Sequence, residues 1–118
     1  MIKILEPDFK FKNETGLLVQ LVHDGWKQIN ILYSDINSVR GGHYHKICHE
    51  AFYVVKGRFE LTIEMNDTIE TYKFSEGEMF MISPYQKHTF KFIENTIMVS
   101  MYDIGVELPD GSKDIYNN

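Results

Sequence analysis

The sequence predicts an all-β fold of the barrel or jelly-roll type, built from short strands. Residues 58–65 alternate strictly between polar and apolar side chains, which is typical of a strand with one buried face. Similar short runs recur between turn signals, and no segment has a helical pattern of useful length. These runs lie at 16–22, 27–34, 51–56, 68–74, 78–82, 88–93 and 96–102. Seven or eight strands at such spacing favour a sandwich, barrel or jelly roll.

The length of 118 residues predicts a single domain over 1–118, with a barrel core at about 16–102. Residues 103–118 are rich in turn formers and are interpreted as a C-terminal arm that can pack on a partner subunit. Residues 1–12 alternate apolar and charged side chains and are suited to add a strand to a neighbour's sheet. Because an open barrel leaves strand edges that need cover, we expect a homodimer.

The charge balance excludes two classes of partner. A net charge of −5 argues against nucleic acid and against an anionic membrane surface, since both attract clustered Lys and Arg. No apolar run approaches the ~20 residues of a spanning helix, and the N-terminus lacks the apolar centre of a signal peptide. The lone cysteine, Cys48, cannot form an internal disulfide, so we expect a cytoplasmic protein.

Candidate metal ligands cluster in the stretch from Arg40 to Glu50. His43 and His45 are two residues apart, so in an extended chain both imidazoles lie on one face. Tyr44 and Lys46 alternate with them and are predicted to point out of the barrel. Two neutral imidazoles on one face are a natural clamp for a metal ion.

Two further residues share the inward direction. Glu50 has the parity of Phe52, and His88 has the parity of Phe90. A carboxylate inside a barrel is costly unless a cation or hydrogen bonds compensate it. Three His and one Glu would suit Fe, Mn, Ni, Co or Zn. The alternative is that these histidines are surface or hydrogen-bonded residues, which is the usual state of a single His at the start of a strand.

The spacing His43-x-His45-x₄-Glu50-x₆-Gly57 resembles the first motif of the cupin superfamily. The segment from 77 to 88 resembles the second motif, although Tyr85 stands in a turn where many cupins have glycine. The resemblance implies a cupin-type jelly-roll β-barrel that binds a divalent transition metal. It implies four metal ligands, which are His43, His45, Glu50 and His88.

Three other residues with ligand-type side chains are not expected to bind the metal. His49 would face the opposite side of the strand from Glu50 and is expected at the rim or exposed. Cys48 is interpreted as a small buried residue or loop thiol. His23 lies in a predicted turn and is interpreted as a surface residue.

A finer resemblance concerns function. Arg40-Gly41-x-His43-x-His45-Lys46 resembles small cupins that isomerise or epimerise nucleotide-linked keto-sugars. In the ketoisomerase branch the histidine pair supplies acid and base without a metal, and glutamine usually replaces the glutamate. Here that position is Glu50, so the complete set of metal ligands is retained.

The sequence thus predicts a metal-binding cupin that acts on a small molecule, with an isomerase or epimerase of a keto-sugar favoured. His45 and Tyr33 are the candidate catalytic residues, and Arg40 and Tyr102 the candidate substrate-binding residues. An Fe(II)-type dioxygenase and a non-catalytic ligand-binding cupin are the alternatives.

Overall fold

The structure, a computed structural model, describes residues 1–117 and contains eleven β-strands within that range. They are β1 (Lys3–Leu5), β2 (Phe9–Asn13), β3 (Gly16–Gln20), β4 (Gln28–Ser34), β5 (Val39–His43), β6 (Glu50–Lys56), β7 (Arg58–Met65), β8 (Thr68–Ser75), β9 (Met79–Ile82), β10 (Lys87–Phe92) and β11 (Thr96–Tyr102). Within the same residues there is no helix with the length and apolar character needed to span a membrane. The all-β prediction is confirmed.

Two large sheets enclose the core. One has five strands in the order β1-β9-β6-β11-β4, and the other has four in the order β5-β10-β7-β8. All the strand pairs are antiparallel. The main core cluster draws on both sheets and consists of Phe52, Val54, Phe59, Leu61, Ile63, Phe74, Phe80, Ile82, Phe90, Phe92 and Met98. This arrangement is a jelly-roll barrel whose interior is filled by aromatic and aliphatic side chains.

The alternating pattern of β7 is realised as predicted. Phe59, Leu61 and Ile63 are buried, whereas the intervening side chains are more exposed. Gly57 separates β6 from β7 with a φ of +105°, and a Cβ there would lie 2.4 Å from the Thr96 hydroxyl oxygen. Glycine is therefore required both by the backbone conformation and by the close approach of the start of β11.

The two chain ends pair with other parts of the same chain. Residues 1–12 contribute β1, which pairs with β9 of the same chain, and β2, which pairs with β3. The predicted arm 103–118 likewise folds onto its own chain, where Tyr116 forms a β-bridge with Tyr44. Asn118 of that arm lies outside the described residues. Both ends therefore pair within the chain, and their contact with a partner subunit stays a prediction.

Candidate metal centre and active site

The site lies where β5 runs beside β10. His43 is directly opposite His88 in the register of these two strands. Gly41 has a φ of +111°, and a Cβ there would lie only 2.5 Å from the carbonyl oxygen of His88. Gly41 therefore allows the two histidine-bearing strands to approach.

The structure brings the four predicted ligands together. The imidazole nitrogens that His43, His45 and His88 offer lie within 4.8 Å of one another. Glu50 joins them, with its Oε1 3.1 Å from His45 Nε2 and 3.8 Å from His88 Nε2.

Two of the imidazoles are fixed by backbone carbonyls on their outer side. His45 Nδ1 donates to the carbonyl oxygen of Asp114 at 2.6 Å, and His88 Nδ1 donates to that of Gln86 at 3.0 Å. Each ring therefore turns its Nε2 toward Glu50. Metal-binding histidines typically have this second hydrogen bond, which fixes the tautomer and directs the free nitrogen inward. The donor set and its orientation fit a divalent transition metal.

Glu50 is only 4% exposed and needs compensation for its charge. Its Oε2 accepts a hydrogen bond from Ser100 Oγ at 2.6 Å, and the Tyr102 hydroxyl also donates to the carboxylate. Oε1 faces His45 Nε2, whose ring already uses its Nδ1 proton on a carbonyl. A second ring proton or a shared cation must therefore stand between Nε2 and Oε1.

The pKa values of the four clustered residues are shifted in different directions. Burial lowers the pKa of His88 to about 4, and burial together with the charge of His45 lowers the pKa of His43. Burial alone would lower the pKa of His45, but hydrogen bonds to Glu50 and to the Asp114 carbonyl raise it overall. Burial would raise the pKa of Glu50, but the hydrogen bond from His45 and the nearby His88 lower it. These shifts favour an ionised Glu50 and neutral imidazoles on His43 and His88 at neutral pH.

A cavity of about 170 Å³ opens beside the cluster. It is lined by Asn30, Leu32, Arg40, Gly41, His43, Glu50, Phe52, His88, Phe90, Tyr102 and Ile115. Both predicted substrate-binding residues line it: Arg40 is exposed, whereas Tyr102 is buried. Burial, followed by the charge of Glu50, raises the pKa of Tyr102 strongly, so its hydroxyl stays protonated.

Tyr33 is not part of the site, and its assignment as a catalytic residue is corrected. Its side chain is 73% exposed on the outer face of β4 and does not line the cavity. The alternation of β4 places Asn30 and Leu32 on the cavity side instead. The apolar row of β4, which consists of Ile29, Ile31 and Tyr33, is the outer one, so the rule that apolar residues face inward fails on this strand.

The residues between the ligands lie as predicted. The Tyr44 ring stacks on the rings of Tyr85 and Tyr116, and Lys46 Nζ lies 4.1 Å from the centre of the Tyr116 ring. Neither Tyr44 nor Lys46 lines the cavity. His49 is partly exposed, and its Nδ1 is 2.9 Å from Asp103 Oδ2.

His45, Cys48 and Asp114 form a second group of close donor atoms. The Asp114 carboxylate, however, already accepts the backbone N–H groups of residues 46–48. Burial and the neighbouring Asp114 also raise the pKa of Cys48 well above its usual range, which disfavours the thiolate that binds metals. This second group therefore fits a structural role better than a metal site.

Sequence reasoning missed two important residues. Ser100 is a polar residue at an inward position of an apolar strand, and that pattern could have identified it. Asp114 lies in a polar tail, 66 to 69 positions from the residues of the histidine loop that it contacts, and no local pattern marks it.

Residues 37–105, more than half of the chain, match the family described as the cupin domain. The chain belongs to the cupin family. No curated protein of similar sequence was found. The match includes all four residues of the histidine and glutamate cluster and thereby confirms the resemblance seen in the sequence.

Solved structures of similar fold include enzymes that act on nucleotide sugars. QdtA, a sugar 3,4-ketoisomerase from Thermoanaerobacterium thermosaccharolyticum in complex with TDP, is 13% identical over 99% of this chain and 88% of its own, with a TM-score of 0.82. The WlaRB TDP-quinovose 3,4-ketoisomerase from Campylobacter jejuni is 15% identical over 99% and 92%, with a TM-score of 0.83. The dTDP-4-dehydrorhamnose 3,5-epimerase from Sulfolobus tokodaii is 17% identical over 93% and 79%, with a TM-score of 0.73. At such identities the likeness establishes the fold.

Proposed function

We propose that this cupin interconverts isomers or epimers of a keto-sugar, free or nucleotide-linked, at a site that binds a divalent transition metal. The observation that carries the proposal is the buried, ionised Glu50 between His45 and His88 at the edge of a cavity. Isomerisation next to a carbonyl requires groups that move a proton and a positive charge that stabilises the oxygen. The fold shared with sugar ketoisomerases and epimerases supports the same class of substrate.

The cavity sets limits on the substrate. At about 170 Å³ it is smaller than a typical ligand pocket, so we infer that it takes the reacting sugar ring alone. Arg40 lines the cavity and is exposed, so its guanidinium can bind an anionic group that stays outside. A diphosphate linked to the sugar would suit this arrangement, since Arg binds phosphate in a bidentate manner.

His43, His45, Glu50 and His88 would hold the metal ion. When bound, a divalent metal supplies electrophilic stabilisation of the oxygen that gains charge as the proton leaves the neighbouring carbon. Apart from these ligands, Tyr102 and Arg40 are the titratable residues that line the cavity, as far as the described residues show. Because the hydroxyl of Tyr102 stays protonated, this residue is suited to donate a proton to the substrate oxygen.

A metal-free mode of proton transfer is the second candidate. It is favoured by the opposite pKa shifts of His43 and His45, whose ring centres are 5.4 Å apart. Neutral His43 faces the cavity and can accept a proton, while His45 is held as the acid by Glu50. In this mode His45 is a catalytic residue, whereas in the metal-bound mode it is a ligand.

The function is tested by solvent exchange. TDP-4-keto-6-deoxyglucose, which a QdtA structure contains, would be incubated in D₂O with chelated protein and with protein reloaded with Mn²⁺, Fe²⁺, Co²⁺, Ni²⁺ or Zn²⁺. We expect deuterium beside the carbonyl and a new keto-sugar signal in the NMR spectrum. Exchange restricted to a reloaded form supports the metal-bound mode, and equal exchange in the chelated form supports the histidine pair. Absence of exchange in every form, with oxygen uptake by the Fe²⁺ form, would instead favour a dioxygenase.

We also propose that the protein is a homodimer. Ile29, Ile31 and Tyr33 form an exposed apolar row on β4, which is an edge strand of its sheet. The β2–β3 hairpin forms a separate two-stranded sheet and exposes apolar side chains, among them Phe11 and Leu18. Exposed apolar surface of this kind is typical of protein interfaces. Light scattering at micromolar concentration should report about twice the chain mass of 13.9 kDa.

A further inference from the structure

Asp114 joins the C-terminal arm to the loop that follows His45. It is fully buried, although it lies in a polar segment without a strand. Its Oδ1 accepts the backbone N–H of Lys46 at 2.9 Å, and its Oδ2 accepts those of Ile47 at 2.9 Å and Cys48 at 3.0 Å. One carboxylate thus satisfies three consecutive backbone donors of the loop, which is a strong, charge-assisted arrangement.

The same residue also holds the imidazole of His45. The backbone carbonyl of Asp114 accepts the Nδ1–H of His45 at 2.6 Å, which leaves Nε2 directed at Glu50. The side chain of Asp114 fixes the loop, and its main chain fixes the ring at the start of that loop. The two contacts reinforce each other, since the docked carboxylate keeps the carbonyl in place.

His88 provides a contrast within the same cluster. Its Nδ1 donates to the carbonyl of Gln86, only two positions away in the same turn. The orientation of His45 instead depends on a residue 69 positions further along the chain. Loss of the arm contact should therefore release His45 and leave His88 in place.

We propose that Asp114 is the positioning residue of the site: its carboxylate docks the C-terminal arm on residues 46–48, and its carbonyl then presents His45 Nε2 to Glu50. The functional importance of a fixed His45 ring rests on the proposed function, because a metal ligand or a catalytic acid must be held in one orientation. The geometry itself can be tested without metal or substrate.

The test measures how well the ring protons are protected. In ¹⁵N-labelled, metal-free protein, the exchange rates of the Nδ1–H protons of His45 and His88 would be compared between wild type and Asp114→Asn. Asn keeps the shape but replaces one acceptor oxygen with an NH₂ group that faces backbone N–H donors. We expect exchange at His45 to accelerate about 10-fold or more while exchange at His88 stays within about 2-fold. If the exchange rates of both protons increase to the same extent, the variant is generally destabilised and the proposal is overturned. Unchanged exchange rates at both rings would also overturn it.

Asp110→Asn is the matched control. Asp110 lies in the same arm, where its Oδ1 accepts the N–H and the hydroxyl of Ser112 without contact to the histidine loop. This variant should leave both exchange rates unchanged. If Asp114→Asn fails to fold, the tautomer of the His45 ring in the wild-type protein tests the proposal instead. A His45 ring without a proton on Nδ1 would contradict it.

Metal affinity provides a second readout. Loss of a residue that orients a ligand typically weakens metal binding by ~10–100-fold. Co²⁺ titration should show this loss for Asp114→Asn and none for Asp110→Asn, and equal affinities of the two variants would count against the proposal. If wild type binds no Co²⁺, the metal site itself is refuted, and the exchange experiment still decides the role of Asp114.

Discussion

The substitution Glu50→Gln separates the structural role of the carboxylate from its role as a ligand. In the metal-free protein, the amide oxygen can take the place of Oε2 and accept from Ser100 Oγ. The amide nitrogen can take the place of Oε1, 3.1 Å from His45 Nε2, and donate to a neutral imidazole. The hydrogen bonds to Ser100 and His45 are both replaced, and each is worth about 1 kcal/mol. The lost ion-pair attraction is offset by the lower cost of burying a neutral group.

We therefore expect the free energy of unfolding of the chelated variant to lie within about 1 kcal/mol of wild type. Added Co²⁺ should separate the stabilities of the two proteins. At a Co²⁺ concentration of 100 times its Kd, wild type gains about 2.7 kcal/mol. That gain corresponds to a rise in Tm of roughly 10 °C for a chain of this size. If loss of the anionic ligand weakens Co²⁺ about 100-fold, the variant gains only about 0.4 kcal/mol, which is less than about 2 °C.

The assay is a pair of thermal melts for each protein, one with chelator and one with Co²⁺. Glu64→Gln is the matched control, because this exposed glutamate of β7 lies outside the cluster and should behave like wild type. Equal Co²⁺-induced shifts in wild type and Glu50→Gln would refute the assignment of Glu50 as a ligand. A loss of more than about 3 kcal/mol in the chelated variant would refute the proposed replacement of its hydrogen bonds.

Three further predictions concern other parts of the molecule. Gly41→Ala should cost at least about 2 kcal/mol in urea unfolding, because its Cβ would lie 2.5 Å from the His88 carbonyl oxygen at a φ of +111°; unchanged stability would show that β5 can move away freely. Tyr102→Phe should lower the rate of deuterium exchange into the keto-sugar by about 10²-fold or more, with Tyr33→Phe as the unaffected control; equal rates in the two variants would remove Tyr102 from the mechanism. Leu18→Glu should reduce the mass from light scattering to that of one chain, because a charge would be buried in the proposed interface; a persistent dimer would exclude this hairpin from the contact.

The fold and the cluster were predictable because both depend on period-two alternation. Phe59, Leu61 and Ile63 are separated by polar side chains, so only one assignment of faces buries the apolar set. The same parity identified Glu50 and His88 as inward residues. Alternation failed at Tyr33, because the apolar row of β4 faces outward and remains exposed, whereas the inward row is mostly polar.

The chain ends were harder for a different reason. Pairing of β1 with β9 joins residues almost eighty positions apart, and the contacts of Asp114 with residues 45–48 span 66 to 69 positions. Short segments of this kind gain their structure from tertiary contacts and carry no periodicity of their own. Local sequence patterns therefore could not predict the part of the site that depends on the C-terminal arm.

The most direct test of the metal site is the metal content of wild type, His88→Ala and His49→Ala after reconstitution with Co²⁺ and removal of free ion. His49 is a suitable control, because it lies next to Glu50 in sequence but pairs with Asp103 away from the cluster. Elemental analysis should find about one ion per chain in wild type and in His49→Ala, and well under half of that in His88→Ala. Equal metal content in all three proteins, or none in wild type, would contradict a metal centre formed by His43, His45, Glu50 and His88.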